Sequence, residues 1–361
     1  MLKKEILLAH FPKLTNKRWQ DIRSAFSDVN AFWNSYFDEI KTKLHWDDNL
    51  IHEFLIWKDN LNEELIIKRL NDTGINCVTL DDPEYPELLK QIYDPPFCLF
   101  IRGSLTRLDF PLGVVGTRKF TSYGKQVTEE LIGELARQGV AIISGLALGI
   151  DGIAHEATIR ANGVTIAVLG GGVDHQYLYP AAHKHLAERI IDAGGAVLSE
   201  YHPGTLPTQF SFPRRNRIIA GLSLGTLVIE AGESSGALIT AQCSLDSNRD
   251  VFAVPQNITS PTAIGPNNLL KMGAKPVTSA KDILDALNLQ NIQQFVESKE
   301  ILPDSPTEAT ILPHLSREPI HIDNIIKRSG LASHVVNGTM TLMEMKGKVR
   351  NLGGMMYVLS R

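Results

Sequence analysis

Ala141-Ile142-Ile143-Ser144-Gly145-Leu146-Ala147-Leu148-Gly149-Ile150-Asp151 decides the fold. A short β-branched run ends in a glycine-bounded turn, and the chain resumes in a helical pattern over 153–161. Strand, tight turn and helix form the unit of an α/β sheet. The unit recurs on both sides. Strands are predicted over 112–115, 141–144, 165–169, 196–199, 226–229 and 251–254, and helices over 123–138, 153–161, 183–193, 214–222 and 237–247. This alternation predicts a mostly parallel sheet covered on both faces by helices. Ligands of such sheets lie beyond the carboxyl ends of the strands. Gly116-Thr117-Arg118-Lys119, Gly145 to Asp151, Gly170-Gly171-Gly172, Glu200-Tyr201 and Glu230-Ala231-Gly232 all fall there, so several loops are expected to build one site.

Outward from this region the pattern changes. Residues 1–75 read as a small helical domain, with Trp19, Phe26, Phe32, Trp33, Phe37, Trp46, Phe54 and Trp57 as its core. Residues 76–103 are proline-rich and turn-rich, with a strand over 97–101. The α/β domain is bounded at 76–290 and closes with a helix over 280–287. Residues 291–304 are polar and read as a linker. Residues 305–361 carry helices over 307–315, 321–328 and 332–346 and a hairpin over 349–359, the pattern of a winged helix. There Arg317, Lys327, Arg328, Lys346, Lys348, Arg350 and Arg361 stand against Glu308, Glu318, Asp323 and Glu344. That bias permits DNA binding. The third helix has few basic or amide side chains, which leaves a protein contact equally open.

The chain has 361 residues, enough for two or three domains, with 43% hydrophobic and 21% charged residues. Its net charge of −4 excludes a global basic footprint, so a nucleic-acid site would be a local patch. Cys77, Cys98 and Cys243 are far apart and outside metal or redox spacings, which suits reduced thiols and a cytoplasmic protein. The first residues are too charged for a signal peptide, and no apolar run is long enough to span a bilayer.

The chemistry is concentrated in Ser211-Phe212-Pro213-Arg214-Arg215-Asn216-Arg217-Ile218-Ile219-Ala220-Gly221-Leu222. Pro213 suits the first turn of a helix, and the arginines crowd its entry. Guanidinium groups beside a helix N-terminus make an anion receptor. The arginines diverge around a helix, so one or two are expected to meet phosphate and the rest to pair with acids or carbonyls. Arg118, at a strand end, faces either the ligand or a carboxylate such as Glu200 or Glu230. No dinucleotide or P-loop glycine spacing is present. His155, His175, His183 and His185 make no metal set, and Ser144 lacks a nucleophile elbow. Asp151 and Glu230 read as helix caps or arginine partners in preference to general bases of a hydrolase.

In one order along the chain stand Gly116-Thr117-Arg118 with Ser122-Tyr123-Gly124; Ser144-Gly145-Leu146-Ala147 with Gly149-Ile150-Asp151; Leu169-Gly170-Gly171-Gly172 with Tyr179-Pro180; Ser199-Glu200; the Phe212 to Ser223 run; Val228-Ile229-Glu230-Ala231; Ser235 to Ala241; and Val251-Phe252-Ala253-Val254-Pro255. Together these pieces resemble the DprA/Smf family of DNA-processing proteins. The resemblance implies an extended Rossmann-like domain between a SAM or helix-hairpin-helix-like domain and a winged helix. It implies non-specific binding of single-stranded DNA, protection of incoming DNA, a homodimer, and loading of RecA during natural transformation. No catalytic turnover, cofactor or membrane contact is implied. The DNA-binding residues it implies are Arg118, Lys119, Gly145, Gly170, Gly171, Arg214, Arg215, Asn216 and Arg217, and dimer contacts fall around 264–272. The sequence departs from the family pattern at Gln256, where glycine is usual, in the longer His175-Gln176-Tyr177-Leu178 loop, and at Phe11-Pro12-Lys13-Leu14-Thr15 in place of a hairpin glycine motif. Two other readings are a nucleotide-processing enzyme of phosphoribohydrolase type, whose Pro-Gly-Gly-x-Gly-Thr loop is missing, and a transcription factor acting through the winged helix.

Overall fold

The computed structural model describes residues 2–106, 108–289, 303–315, 320–346, 348–351 and 354–359. Those up to 289 form one compact unit and those from 303 onward a second. The linker expected over 291–304 lies almost wholly outside the described residues, as do Arg317, Glu318, Gly353, Arg361 and the side chain of Arg350.

The first unit is built on a nine-stranded sheet. Its strands are β1 (Asn76–Thr79), β2 (Cys98–Gly103), β3 (Pro111–Val115), β4 (Ala141–Ser144), β5 (Thr165–Val168), β6 (Ala196–Ser199), β7 (Gly225–Val228), β8 (Asp250–Ala253) and β9 (Lys275–Pro276). The order is β1-β2-β6-β5-β4-β3-β7-β8-β9. Strands β6 to β9 in that order are parallel, while β2 pairs antiparallel with both β1 and β6. The mostly parallel sheet and its helices agree with the sequence. Strand β1 was missed because 76–103 is dominated by prolines and turns, and β9 because it is two residues long.

Side-chain alternation builds a core on each face. Phe100, Ala167 and Leu169 join one cluster, while Leu99, Ile101, Ile166 and Val168 join the other. Ile218, Ile219 and Leu222 seat the helix Ser211–Gly221 on the second face. The N-terminal helices pack on the first. Thr15, Asp28, Asp47 and Asn62 accept a backbone N–H at helix starts, which terminates each helix where the sequence changes from turn to amphipathic pattern. All eight expected aromatics enter one core, with Trp33, Phe37 and Trp57 at its edge. That core is continuous with the sheet: Trp19 stacks on Phe97 with centroids 4.5 Å apart, and His10 meets Phe100 edge-on at 5.6 Å.

His10 also stacks on His202 at 4.8 Å. Burial first, then the neighbouring imidazole, lower the His10 pKa from 6.5 to about 4. The unfolded chain therefore binds the His10 proton more readily than the native one. The resulting stability is complete above pH 6.5 and is lost as pH falls through about 4. Urea melts across this window should show stability declining with acidity, and His10→Asn should flatten that slope. An unchanged slope would place the titration elsewhere.

In the second unit, helices Pro306–Ile311, Ile322–Ser329 and Ser333–Met345 pack with a three-stranded sheet of β10 (Ile320–His321), β12 (Met356–Leu359) and β11 (Val349–Asn351), in that order. Gly330, at φ 68°, ends the second helix in the left-handed region. Lys346 and Lys348 reach back to Asp304 and the buried Glu308, with nitrogen–oxygen distances of 2.6–3.0 Å. The Asp304 N–H first, then these lysine contacts, hold the Glu308 carboxyl down at about 2. Two of the lysines behind the positive bias are thus engaged within the unit, and the exposed side of Ser333–Met345 presents Leu342 and Met345.

Candidate nucleic-acid interface

From β3 the chain steps outward through β4, β5 and β6, then returns to place β7 on the other side of β3. Connections diverge between the carboxyl ends of β3 and β7, which is where a crevice opens in a doubly wound sheet. A groove of about 990 Å³ lies there. Its walls include Arg118, Lys119, Tyr179, Phe212 and Ser235. The entries of helices Ile150–Arg160 and Gly236–Asp246 open onto it at Asp151 and Gly236 and supply positive dipole ends.

The loop carrying Arg118 and Lys119 is held at both ends by one residue. The Glu230 carbonyl accepts the Thr117 N–H at 2.7 Å. Its fully buried carboxylate accepts the Thr121 N–H at 2.9 Å, the Thr121 hydroxyl at 2.6 Å and the Thr262 hydroxyl at 3.0 Å. The loop also leans on Gly149, whose φ of +86° suits glycine and whose missing Cβ would lie 2.3 Å from the Thr117 carbonyl oxygen. Arg118 and Lys119 are themselves exposed. Among the described residues no carboxylate pairs with Arg118; its guanidinium lies 5.8 Å from the Phe212 ring centroid. Tyr179, half exposed, sits 5.6 Å from the same ring.

The helix Ser211–Gly221 divides its polar residues by direction. Arg214 is partly exposed, with Nε 3.6 Å from Glu200. Arg215 points inward and is 5% exposed. Its guanidinium donates to the Gly145 carbonyl at 2.7 Å and to the Val168 carbonyl, capping the carboxyl ends of β4 and β5. Desolvation lowers its pKa to about 10. Gly145 is required because a Cβ there would lie 2.4 Å from that guanidinium. Buried Asp151 accepts the Gly145 N–H at 3.1 Å; burial raises its carboxyl pKa and the nearby Arg215 opposes the rise. Arg217 donates to Glu200 at 2.6 Å and Asp94 at 3.2 Å. Asn216 donates to the Gly236 carbonyl at 3.2 Å and accepts from Arg215 Nε at 3.2 Å.

The expected site residues therefore separate. Arg118 and Lys119 offer charge to solvent, and Arg214 does so in part, beside Glu200. Arg215, Asn216 and Arg217 bond inward, because their helix packs on strand ends whose carbonyls and on loops whose carboxylates need donors, yet Arg215 and Asn216 still line the groove. Gly170 and Gly171 are buried and lie beneath Phe212 and Thr205, where a Cβ would be 3.1 Å and 2.9 Å from the nearest atom; they seat the groove wall instead of lining it. Tyr179 and Phe212 line the same groove without a sequence signal that marks them for it. Both stand in motif segments, but exposure of a ring beside a cation is not written in local sequence. Gln256 does not empty the loop it enters: its side-chain amide donates to the Ile229 carbonyl, and its backbone exchanges two bonds with Asn267 at 3.3 and 3.1 Å.

A parallel α/β sheet with cations, rings and helix entries at its switch point defines a doubly wound α/β protein with an anion-attracting crevice. The chain belongs to the DNA recombination-mediator protein A family, whose model matches residues 76–288, and the DprA winged helix domain matches 297–355. It is 45% identical over 230 residues to the DNA processing protein DprA of Bacillus subtilis, covering 63% of this chain and 76% of that one. The structure of DNA processing protein A from Streptococcus pneumoniae superposes with a TM-score of 0.67 at 35% identity, covering 78% of this chain and 95% of the other. That of DNA processing protein A from Helicobacter pylori, described by its single-stranded DNA binding mode, superposes at 0.53 with 31% identity, over 59% and 96% of the two chains.

Proposed function

We propose that the chain binds single-stranded DNA without sequence preference in the groove between β3 and β7. The observation that carries this is the pairing of exposed cations, Arg118 and Lys119, with the rings of Tyr179 and Phe212 on one wall. Phosphates meet the cations and unpaired bases stack on the rings, which is the chemistry of sequence-tolerant single-strand binding. A duplex keeps its base faces covered and loses the stacking part. Arg215 and Asn216 line the groove and, with Arg217, hold its wall through their inward bonds, and the partly exposed Arg214 adds charge to the same helix entry. The proposal includes no catalytic step. By family membership it extends to protection of incoming DNA and loading of RecA in transformation, with a homodimer joined around 264–272, where Ile264 and Met272 are exposed.

Competition between single- and double-stranded oligonucleotides over a salt series tests it. The single strand should win at every salt concentration. Log affinity should fall with log salt at a slope of about −0.7 per phosphate contacted. Equal competition by duplex would refute the assignment.

A further inference from the structure

On the other side of the 116–121 loop lies a second cavity of about 460 Å³, lined by residues including Thr121, Tyr123, Glu230, Gln256 and Asn257. Its chemistry is opposite to that of the groove. No lysine or arginine lines it, and Glu230 forms part of its wall. Like charge and the want of cationic donors disfavour a phosphate there. Tyr123 is 46% exposed, yet its hydroxyl donates to the Pro255 carbonyl at 3.2 Å. One end of the ring is tethered while much of its surface stays open. Gln256 uses its amide N–H on Ile229, and Asn257 uses its side-chain oxygen on Thr259. Among the described residues this leaves Gln256 Oε1 and Asn257 Nδ2 without a partner. An open aromatic ring bordered by one amide acceptor and one amide donor matches a neutral heteroaromatic ring with a hydrogen-bonding edge.

The two cavities share their dividing loop. Arg118 faces the first and Thr121 the second, three residues apart, so their Cα atoms are separated by no more than about 11 Å. Phe120, 44% exposed, lies between Arg118 and Thr121 in the sequence. We propose that the Tyr123 cavity takes a nucleobase of the same single strand whose phosphates meet Arg118 and Lys119. This second base site rests on the single-strand reading above.

The test is fluorescence anisotropy with oligothymidylates carrying one abasic nucleotide at successive positions. The parent protein should lose affinity at two separated positions. Tyr123→Ala should weaken binding of the intact oligonucleotide about tenfold and abolish the sensitivity at one of them. Tyr123→Phe, which keeps the ring, should bind like the parent. Tyr123 is an exposed helix residue, and unchanged circular dichroism would confirm that Tyr123→Ala is folded. If Tyr123→Ala keeps full affinity and the parent's abasic profile while Arg118→Ala/Lys119→Ala loses binding in the same assay, the second base site is wrong and the single-strand reading stands. If neither variant loses affinity, both are wrong.

Discussion

Replacing Arg118 and Lys119 together by alanine is expected to lower affinity for a single-stranded oligonucleotide about 100-fold at fixed low salt. Each charged hydrogen bond to a phosphate contributes about 1.5 kcal/mol, and two such losses amount to that factor. The salt dependence falls with it, by about 0.7 in slope for each contact removed. The fold is unaffected, because both side chains are exposed and neither anchors the loop; Glu230 and Thr121 do that. Anisotropy over a salt series, beside a thermal melt of the same variant, measures both quantities. A loss of affinity with an unchanged salt slope would mean that the two residues act on something other than phosphate. Tyr179→Ala offers the complementary outcome, with affinity lowered and slope retained, since a ring stacks on a base and neutralises nothing.

The largest loss of stability is expected at Arg215. Arg215→Ala destabilises the first unit by about 3 kcal/mol or more, read from urea midpoints. The substitution leaves the Gly145 and Val168 carbonyls without this donor and removes the cation beside buried Asp151. Arg215→Lys recovers only part of the loss, because an ammonium is a point donor and the site is filled by a planar fork lying over Gly145. Affinity for DNA in the folded fraction then falls through displacement of Phe212 and the groove wall. Normal stability with abolished binding would reverse the assignment and make Arg215 a direct phosphate ligand.

Much of the fold was legible because its signals are local. The run Ala141–Ser144 is β-branched and bounded by Gly145, so the strand and its end were readable to the residue. The helix Ser211–Gly221 begins earlier than the sequence pattern suggested, since its first turn is set by Ser211 and Thr208 exchanging bonds across the preceding loop. Strand β1 was obscured because its pairing with β2 is an edge contact between short polar and apolar residues amid prolines.

Local sequence sets the alternation of strands and helices, the glycine turns at strand ends, and the concentration of arginine near residue 215. Those depend on period, β-branching and backbone freedom, all of which act within a few residues. Which cations meet solvent depends on long-range packing. Four adjacent polar side chains on a helix point in four directions, and the partners that claim three of them, the Gly145, Val168 and Gly236 carbonyls and the Glu200 and Asp94 carboxylates, arrive from remote strands and loops. The same physics leaves Arg118 open and sets Phe212 beneath it. Burial turns a guanidinium inward where a carbonyl needs a donor, and it leaves one exposed where the crevice between β3 and β7 stays open.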